Sequence, residues 1–562
     1  MTSIRTILII AWLTVGAFLW LEWNKESSAP AVDAATELAG EADADTLPLP
    51  SLPATADGEP APVPRAGGEA PAMAAAPAAA ASAARRVELS NDVLRLSLDG
   101  GNVHRAELLQ YRESRKPDAP LVRLFDDTPA NRYSAQSGWV SESGAPAHDA
   151  GFVPEGTQDR IALAEGQDKV SAAFVWTGAD GVTIRRTYTL ARGDYALRVR
   201  DDIVNTGAQP WTGYVYRRLS RIPPHVERSM TNPDTFAFRG AAWYTPEEKY
   251  EKRVYDDFAE DGPINRNNVQ GGWVALLQHY FFTGWVPQKD QAANYELQST
   301  GRVRGVSANG PEFTVAPGGN DSTEATLWIG PKLPERLAQT AKGLDLTLDY
   351  GIFTLIAEPI HWMLRNLHTV TGNWGWAIVL LVVIIKLLMY PLSAAQYKSM
   401  AKMRKFQPRL QQLKERYGDD RQKLQMATFE LYKKEKINPA GGCLPILIQM
   451  PVFLALYWVL LESVELRQAP WMLWIQDLTA RDPFFILPTI NAAVMWYTQR
   501  LTPMTGMDPM QQRVFQFMPL IFGVMFALFP AGLVLYWVTN GSIGLVQQIW
   551  MMRIYGDKDA KK

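Results

Sequence analysis

The sequence predicts a multi-domain membrane protein: one N-terminal anchor, a large all-β domain, and a helical core of five membrane spans. Three observations predict this. Apolar runs close to the ~20 residues needed to cross a bilayer occur once at the N-terminus and repeatedly after Gly372. Between them, roughly 240 residues alternate polar and apolar with the period of a strand. A strongly basic stretch then follows the first of the late apolar runs.

Residues 1–24 contain the first apolar run, Thr6 to Trp23, preceded by Arg5. A small-x-small triplet, Ala29-Pro30-Ala31, follows, but Glu22, Lys25 and Glu26 separate it from the run. Trp20 and Trp23 close the run where tryptophan favours the interface. The segment is read as an uncleaved anchor with its N-terminus in the cytoplasm. Residues 25–86 are rich in Ala, Pro and Gly, and from Asp33 to Glu69 eight acids face the single base Arg65. Such a composition cannot bury enough apolar surface to offset chain entropy, so a disordered tether on the translocated side is expected.

From 87 to 335 the texture changes to short alternating segments, among them VLRLSLDG, VTIRRTYTLA and YALRVRDDIVN, bounded by Gly, Asn, Asp and Pro. A single large β-sandwich accounts for them. Trp273, Phe281, Phe282 and Trp285 are assigned to its core rather than to a ligand platform.

Residues 344–370 place Ile352, Phe353, Ile356, Ile360, Met363, Leu364 and Leu367 at helical spacing, interrupted by Pro359. Two placements stand: an interfacial helix on the outer leaflet, or a helix packed on the sandwich. Residues 372–392, GNWGWAIVLLVVIIKLLMYPL, form the first span of the block. One cation, Lys386, lies inside it. It either snorkels to the headgroups along its own stem or faces a wet cavity between helices.

Residues 393–442 carry many more bases than acids and belong in the cytoplasm by the positive-inside rule. Met400, Met403, Leu410, Leu413 and Tyr417 recur at helical spacing, and a second helical run follows the YGDD turn. A helical hairpin is expected, with Pro408 kinking its first arm. The chain Asn438–Gly442 (NPAGG) breaks the helix. Further spans are assigned to 443–461, 483–499, 514–529 and 532–552, with a charged cytoplasmic tail at 553–562. Six spans result in all, with both termini inside and the sandwich outside.

Lys386, Gln449, Asn491, Gln499, Gln516, Thr539, Asn540, Ser542 and Gln547 lie in or near the apolar spans. Any one of them is explained by a hydrogen bond to a neighbouring helix. Together, with Pro445 and Pro451 bending one wall, they suggest a partly hydrated interior. The topology puts Lys386, Gln449 and Gln516 in the inner-leaflet halves of their spans.

Catalytic chemistry is not indicated. The chain has one cysteine, Cys443, and six scattered histidines, with no Walker loop, GxGxxG, GxSxG or metal-ligand spacing. No cofactor or metal is expected, and no nucleic acid is expected to be read directly.

The runs MYPLSAAQYKSMAKMRKFQP (Met389–Pro408), INPAGGCLPILIQMPVFLALY (Ile437–Tyr457), SVELRQAPWMLWIQDL (Ser463–Leu478), DPMQQRVFQFMPLIF (Asp508–Phe522) and FPAGLVLYWVTN (Phe529–Asn540) resemble the YidC/Oxa/Alb family of membrane protein insertases in its Gram-negative form. The resemblance implies a bacterial inner-membrane insertase and folding chaperone whose hydrophilic groove receives hydrophobic segments of nascent proteins. It implies a single positive charge in that groove, at the position held here by Lys386. Members of this type commonly carry arginine there; lysine keeps the charge but lacks the fixed donor fork. Gln449, Gln516 and Asn540 are the other groove residues expected. The hairpin residues Met400, Met403, Leu410 and Leu413 are implied in substrate capture. Partnership with the ribosome, the Sec translocon and membrane lipids is implied too, as is a β-domain of supersandwich type related to sugar-binding folds. Two other function classes remain: a small-solute transporter, and a membrane-anchored periplasmic carbohydrate-active enzyme.

Overall fold

The computed structural model describes residues 47, 85–149, 151–224, 237–260, 262, 264–418, 420–434, 444–501 and 509–556. The N-terminal apolar run, all of the acidic tether but Leu47, Arg85 and Arg86, the NPAGG break and the last six residues of the tail lie outside them.

Two large sheets face one another. The first has ten strands. Its order runs from Ile264–Gln270 through Ala292–Thr300, Val303–Val315, Trp211–Arg221, Tyr133–Val140, Asn102–Arg112, Leu94–Leu98 and Val87–Ser90 to Arg160–Ala162, with Leu121–Arg123 pairing beside Asn102–Arg112. The second has nine. It runs from Lys249–Val254 through Gly240–Thr245, Trp273–Leu277, Phe281–Pro287, Asn320–Pro331, Ala196–Asn205, Val182–Ala191 and Lys169–Thr177 to Val153–Pro154. Pairing is antiparallel except between Val87–Ser90 and Arg160–Ala162. Period-two alternation drives this packing. In Val182–Ala191, Val182, Ile184, Arg186, Tyr188 and Leu190 are buried and the residues between them are not. Trp273, Phe281, Phe282 and Trp285 are core residues, as their apolar context predicts.

One buried ion pair sits between the sheets. Arg186 Nε and Nη2 donate to the two carboxylate oxygens of Asp201, each at 2.7 Å. Both residues belong to the second sheet. From the first sheet, Trp139 Nε1 donates to Asp201 Oδ2 at 2.8 Å. Arg186 Nη1 donates to the carbonyls of Gly100 and Ser137. The charges are thus satisfied on all sides, which a buried pair requires.

The helices follow. Thr354–Thr371 (α1) buries Ala357, Ile360, His361 and Leu364, while Leu355, Trp362 and Val370 are strongly exposed. Pro359 does not break it: the helix runs through the proline. The missing hydrogen bond falls early in the helix, and the buried face beyond it, packed on the next helices, outweighs the loss. Trp374–Leu388 (α2) starts at Asn373, whose side chain accepts from the Trp376 amide and donates to the Trp471 carbonyl at 2.9 Å. It stops at Leu388. Pro391 has no N–H to bond back into the preceding turn, so the helix does not continue unbroken, and the chain turns by 62° at Met389 into Tyr390–Lys405 (α3), with the proline in its first turn. The stretch expected as one span over 372–392 is therefore divided between two helices.

Pro408 likewise separates rather than kinks. Gln407–Tyr417 (α4) begins with the proline in its first turn, where the missing N–H has no intrahelical partner to lose. Arg421–Lys434 (α5) packs back on α4 to complete a hairpin, with Asp420 accepting from the Lys423 amide at its start. Leu444–Glu462 (α6), Ile486–Leu501 (α7), Pro509–Phe526 (α8) and Ala531–Gly556 (α9) complete the chain. The sequence 531–534 follows a tight turn bonded to the 478–480 loop. Among the described residues no single helix is long and apolar enough to cross a membrane. The bent pair α2 and Tyr390–Tyr397 meets that test together, and Gln449–Glu462 and Val514–Phe526 are shorter apolar stretches.

The sandwich sits on the ends of these helices. His279 Nε2 is 2.9 Å from the Leu461 carbonyl, Arg467 Nη2 donates to the Glu113 carbonyl, and Gln468 Nε2 donates to the Arg112 carbonyl.

Candidate functional site

Several polar residues of the helical block converge on α9, which packs against α2, α3, α6 and α7. Three of its residues, Tyr536, Asn540 and Gly544, are spaced by four and so share one face. Each is met from, or lies beside, a different neighbour. Gln449 on α6 donates from Nε2 to Tyr536 Oη at 3.3 Å. Phe453, one turn further along α6, packs on Trp537 at 4.7 Å between ring centroids. Asn540, half-buried, lies one turn beyond Tyr536.

Gly544 is where the cation arrives. Lys386 stands in the last turn of α2. A Cβ placed on Gly544 would lie 3.6 Å from its Nζ. Glycine leaves that space to the ammonium. From the other side of the 62° bend, Tyr397 on α3 donates to the Gly544 carbonyl at 3.1 Å. The bend thus lets two consecutive helices address one turn of α9. Lys386 is half-buried, and among the described residues no acidic side chain bears on it.

Lys386, Gln449 and Asn540 are therefore brought to one face of α9. Gln516 is not: it is exposed on α8, whose packing partner is α7. Asn491 and Gln499 are buried on α7; Gln499 donates to the Phe515 carbonyl on α8 and so joins two helices, while Asn491 Nδ2 donates to Met495 Sδ within α7. In the hairpin, Leu410 and Leu413 are half-buried on α4 where it meets α5. Met400 and Met403 lie on α3, but their side chains are outside the described residues.

Three residues of the row carried no signal of their own in the sequence. Tyr397 and Tyr536 look like interfacial or core aromatics. Gly544 looks like any small residue of a packed helix. Gly541 faces α7, where a Cβ would lie 3.2 Å from Val494 Cγ1.

Nothing in the row is arranged for covalent chemistry. No nucleophile stands beside a base, and among the described residues no three His, Cys, Asp or Glu side chains are grouped to hold a metal ion. What it offers is a fixed cation, amides and hydroxyls along one helix, in an otherwise apolar setting.

Comparison with known proteins identifies both halves of the chain. Residues 86–363 match the family described as the YidC periplasmic domain, and residues 366–558 match the 60Kd inner membrane protein family. The chain is 56% identical over 563 residues to the membrane protein insertase YidC of Stenotrophomonas maltophilia strain R551-3, covering 99% of this chain and 97% of that one. It is 54% identical over 569 residues to the protein of the same name from Xanthomonas euvesicatoria pv. vesicatoria strain 85-10, covering 100% and 99%. Among solved structures, an active YidC insertase crystal structure with the first transmembrane domain resolved aligns at 20% identity and a TM-score of 0.36, covering 82% of this chain and 92% of that one.

Proposed function

The chain belongs to the YidC family of membrane protein insertases, and we propose that the polar row on α9 is the surface that receives its substrates. Insertase activity is not enzymatic, and its substrates are nascent membrane proteins. The chain is an inner-membrane protein with a periplasmic β-domain.

The observation that carries the proposal is the placing of Lys386 against Gly544. A cation held among apolar helices, with no acidic partner beside it among the described residues, attracts an acidic or polar leader more strongly than it would in water. The leader gains a counter-charge part-way across the hydrocarbon. Gln449, Asn540 and the two tyrosine hydroxyls offer hydrogen bonds along the same face, lowering the cost of an unpaired peptide group there. The apolar segment behind the leader then leaves the row for lipid, driven by about 25 cal/mol per Å² of apolar surface. No nucleotide hydrolysis is needed.

Within the same proposal, both termini and the α4–α5 hairpin are cytoplasmic. The hairpin residues Leu410 and Leu413, together with Met400 and Met403 on the adjoining α3, make first contact with the nascent chain, and the basic loops and tail approach the ribosome. The exposed apolar residues of α1, Leu355, Trp362 and Val370, lie on the outer leaflet. The insertase works alone or with the Sec translocon and also assists folding. Gln516, exposed on α8, marks the lipid-facing rim where segments leave.

The test is insertion in a strain depleted of its own insertase. Lys386→Ala and Lys386→Glu impair substrates with charged translocated tails, and Lys386→Arg restores them. Normal insertion by the Ala and Glu variants removes Lys386 from the mechanism.

A further inference from the structure

Leu47 lies far ahead of the β-domain in sequence, in a stretch rich in Ala, Pro, Gly and acidic residues. It is nonetheless buried, in a cluster with Ile222 and Val303 on the first sheet. Its carbonyl accepts from Arg218 Nη1 at 3.3 Å. Gly305, on strand Val303–Val315, forms the floor: a Cβ there would collide with Leu47 Cδ1. The next atom that Cβ would meet is the Leu219 carbonyl oxygen, at an ordinary 3.4 Å. The close approach at this glycine is therefore to Leu47 and not to the sheet.

The sequence around Leu47 fits such a seat. It reads TLPLPSLP, and three of the four leucines between residues 27 and 84 fall within it, each followed by proline. A residue before proline is held to extended or polyproline conformations. Extended Pro-rich segments are recognised as preformed shapes that lose little entropy on binding. The seat supplies what such a segment needs: an apolar socket for one side chain, and a guanidinium for the adjacent carbonyl.

We propose that the socket formed by Ile222, Val303 and Gly305, with Arg218 at its edge, is a docking site for an extended Leu-Pro segment, and that its occupant is this chain's own segment around Leu47, bound in cis. The covalent path from the apolar run ending at Trp23 then reaches the sandwich at Leu47 rather than at Val87. The docked segment also closes the socket to any other extended apolar chain.

The test uses the full-length chain in membrane vesicles, with the native Cys443 replaced by Ser. A specific protease site is placed between residues 65 and 70. The cysteine pair Leu47→Cys with Gly305→Cys forms an intramolecular disulfide under mild oxidation. The rate is at least about tenfold above that of Leu47→Cys with Ser171→Cys, which lies on the other sheet. After proteolysis the N-terminal fragment stays attached until reductant is added. A second pair, Leu47→Cys with Val303→Cys, forms the same link and loses it when Gly305→Val fills the socket, while the thermal midpoint of the sandwich is unchanged. Crosslinking no faster than the control pair, a rate indifferent to Gly305→Val, or a disulfide that joins two copies each overturns the proposal.

Discussion

Lys332 Nζ lies 3.2 Å from Glu462 Oε2, and the two side chains are only 2% and 4% exposed. Lys332 follows the last strand of the sandwich and Glu462 ends α6, so one buried ion pair joins the β-domain to the helical block. Breaking one side of such a pair strands a buried charge at about 3–5 kcal/mol, whereas replacing both partners by apolar groups is close to neutral. Lys332→Met and Glu462→Leu singly loosen the joint, seen as earlier proteolysis between sandwich and helices on heating. The double variant recovers most of the loss. Equal damage from the double and single variants would show that the pair does not couple the domains.

Gly544 sets a second prediction. Ala there is tolerated, because its Cβ would rest at ordinary contact distance from Lys386 Nζ. A larger side chain takes the space of the ammonium. Gly544→Leu therefore lowers insertion of substrates with charged tails to the level of Lys386→Ala, and adding Gly544→Leu to Lys386→Ala lowers it little further. Insertion assays on the two single variants and the double variant decide this. Additive losses would separate Gly544 from the cation.

Much of this architecture is legible in the sequence. Alternation in VTIRRTYTLA puts Arg186 on the inner face, and alternation in YALRVRDDIVN puts Asp201 there, so two charges in phase with the core announce a pair. The apolar runs locate the helical block, and Lys386, Gln449 and Asn540, three of the four residues expected to line a groove, come to one face of α9. What is illegible depends on contacts that span long stretches of chain. Nothing near Lys332 points to Glu462, and nothing near Gly305 points to Leu47. The prolines mislead for a different reason. Pro359 sits in a helix whose buried face outweighs one lost bond, while Pro391 and Pro408 act where a helix is already ending or starting. Gln516 shows the limit of composition: a polar residue in an apolar run faces whichever way its helix packs.

The Arg186–Asp201 pair predicts a large loss on neutralising one partner. Asp201→Asn leaves Arg186 buried without its counter-charge and costs the sandwich about 3–5 kcal/mol. Burial pushes the Asp201 carboxyl up, but the Arg186 charge and hydrogen bonds outweigh burial and hold it below the usual carboxylate range. A depressed carboxylate gives stability that is present above its unfolded value near 3.8 and is lost as pH falls through the lower folded value. Thermal unfolding of the β-domain therefore stays steady from neutral pH to about pH 4 as far as this pair is concerned. In the Asn variant the midpoint is lowered at every pH in that range. An unchanged midpoint would mean the pair is dispensable.

His361 carries the pH response of the joint between α1 and the loop after α6. Its Nδ1 lies 2.7 Å from the Tyr350 hydroxyl and its Nε2 lies 3.8 Å from Glu465 Oε1. Burial, aided by the Arg365 charge, pushes the imidazole down to about 4 from an ordinary 6.5. The folded chain holds His361 neutral while the unfolded chain protonates it. Stability from this group is complete above about pH 6.5 and falls as pH drops toward 4, by about 1.4 kcal/mol per unit, or about 2 kcal/mol at pH 5. Burial pushes Glu465 the other way, up from its ordinary value, so its protonation on acidification offsets part of the loss. Because Glu465 is present in both proteins, the difference between wild type and His361→Gln isolates the imidazole. Unfolding of the helical block followed by circular dichroism at pH 7.5 and pH 5 is the measurement. Wild type loses more stability between those pH values than the Gln variant does, and equal losses would show that His361 is protonated in the folded chain.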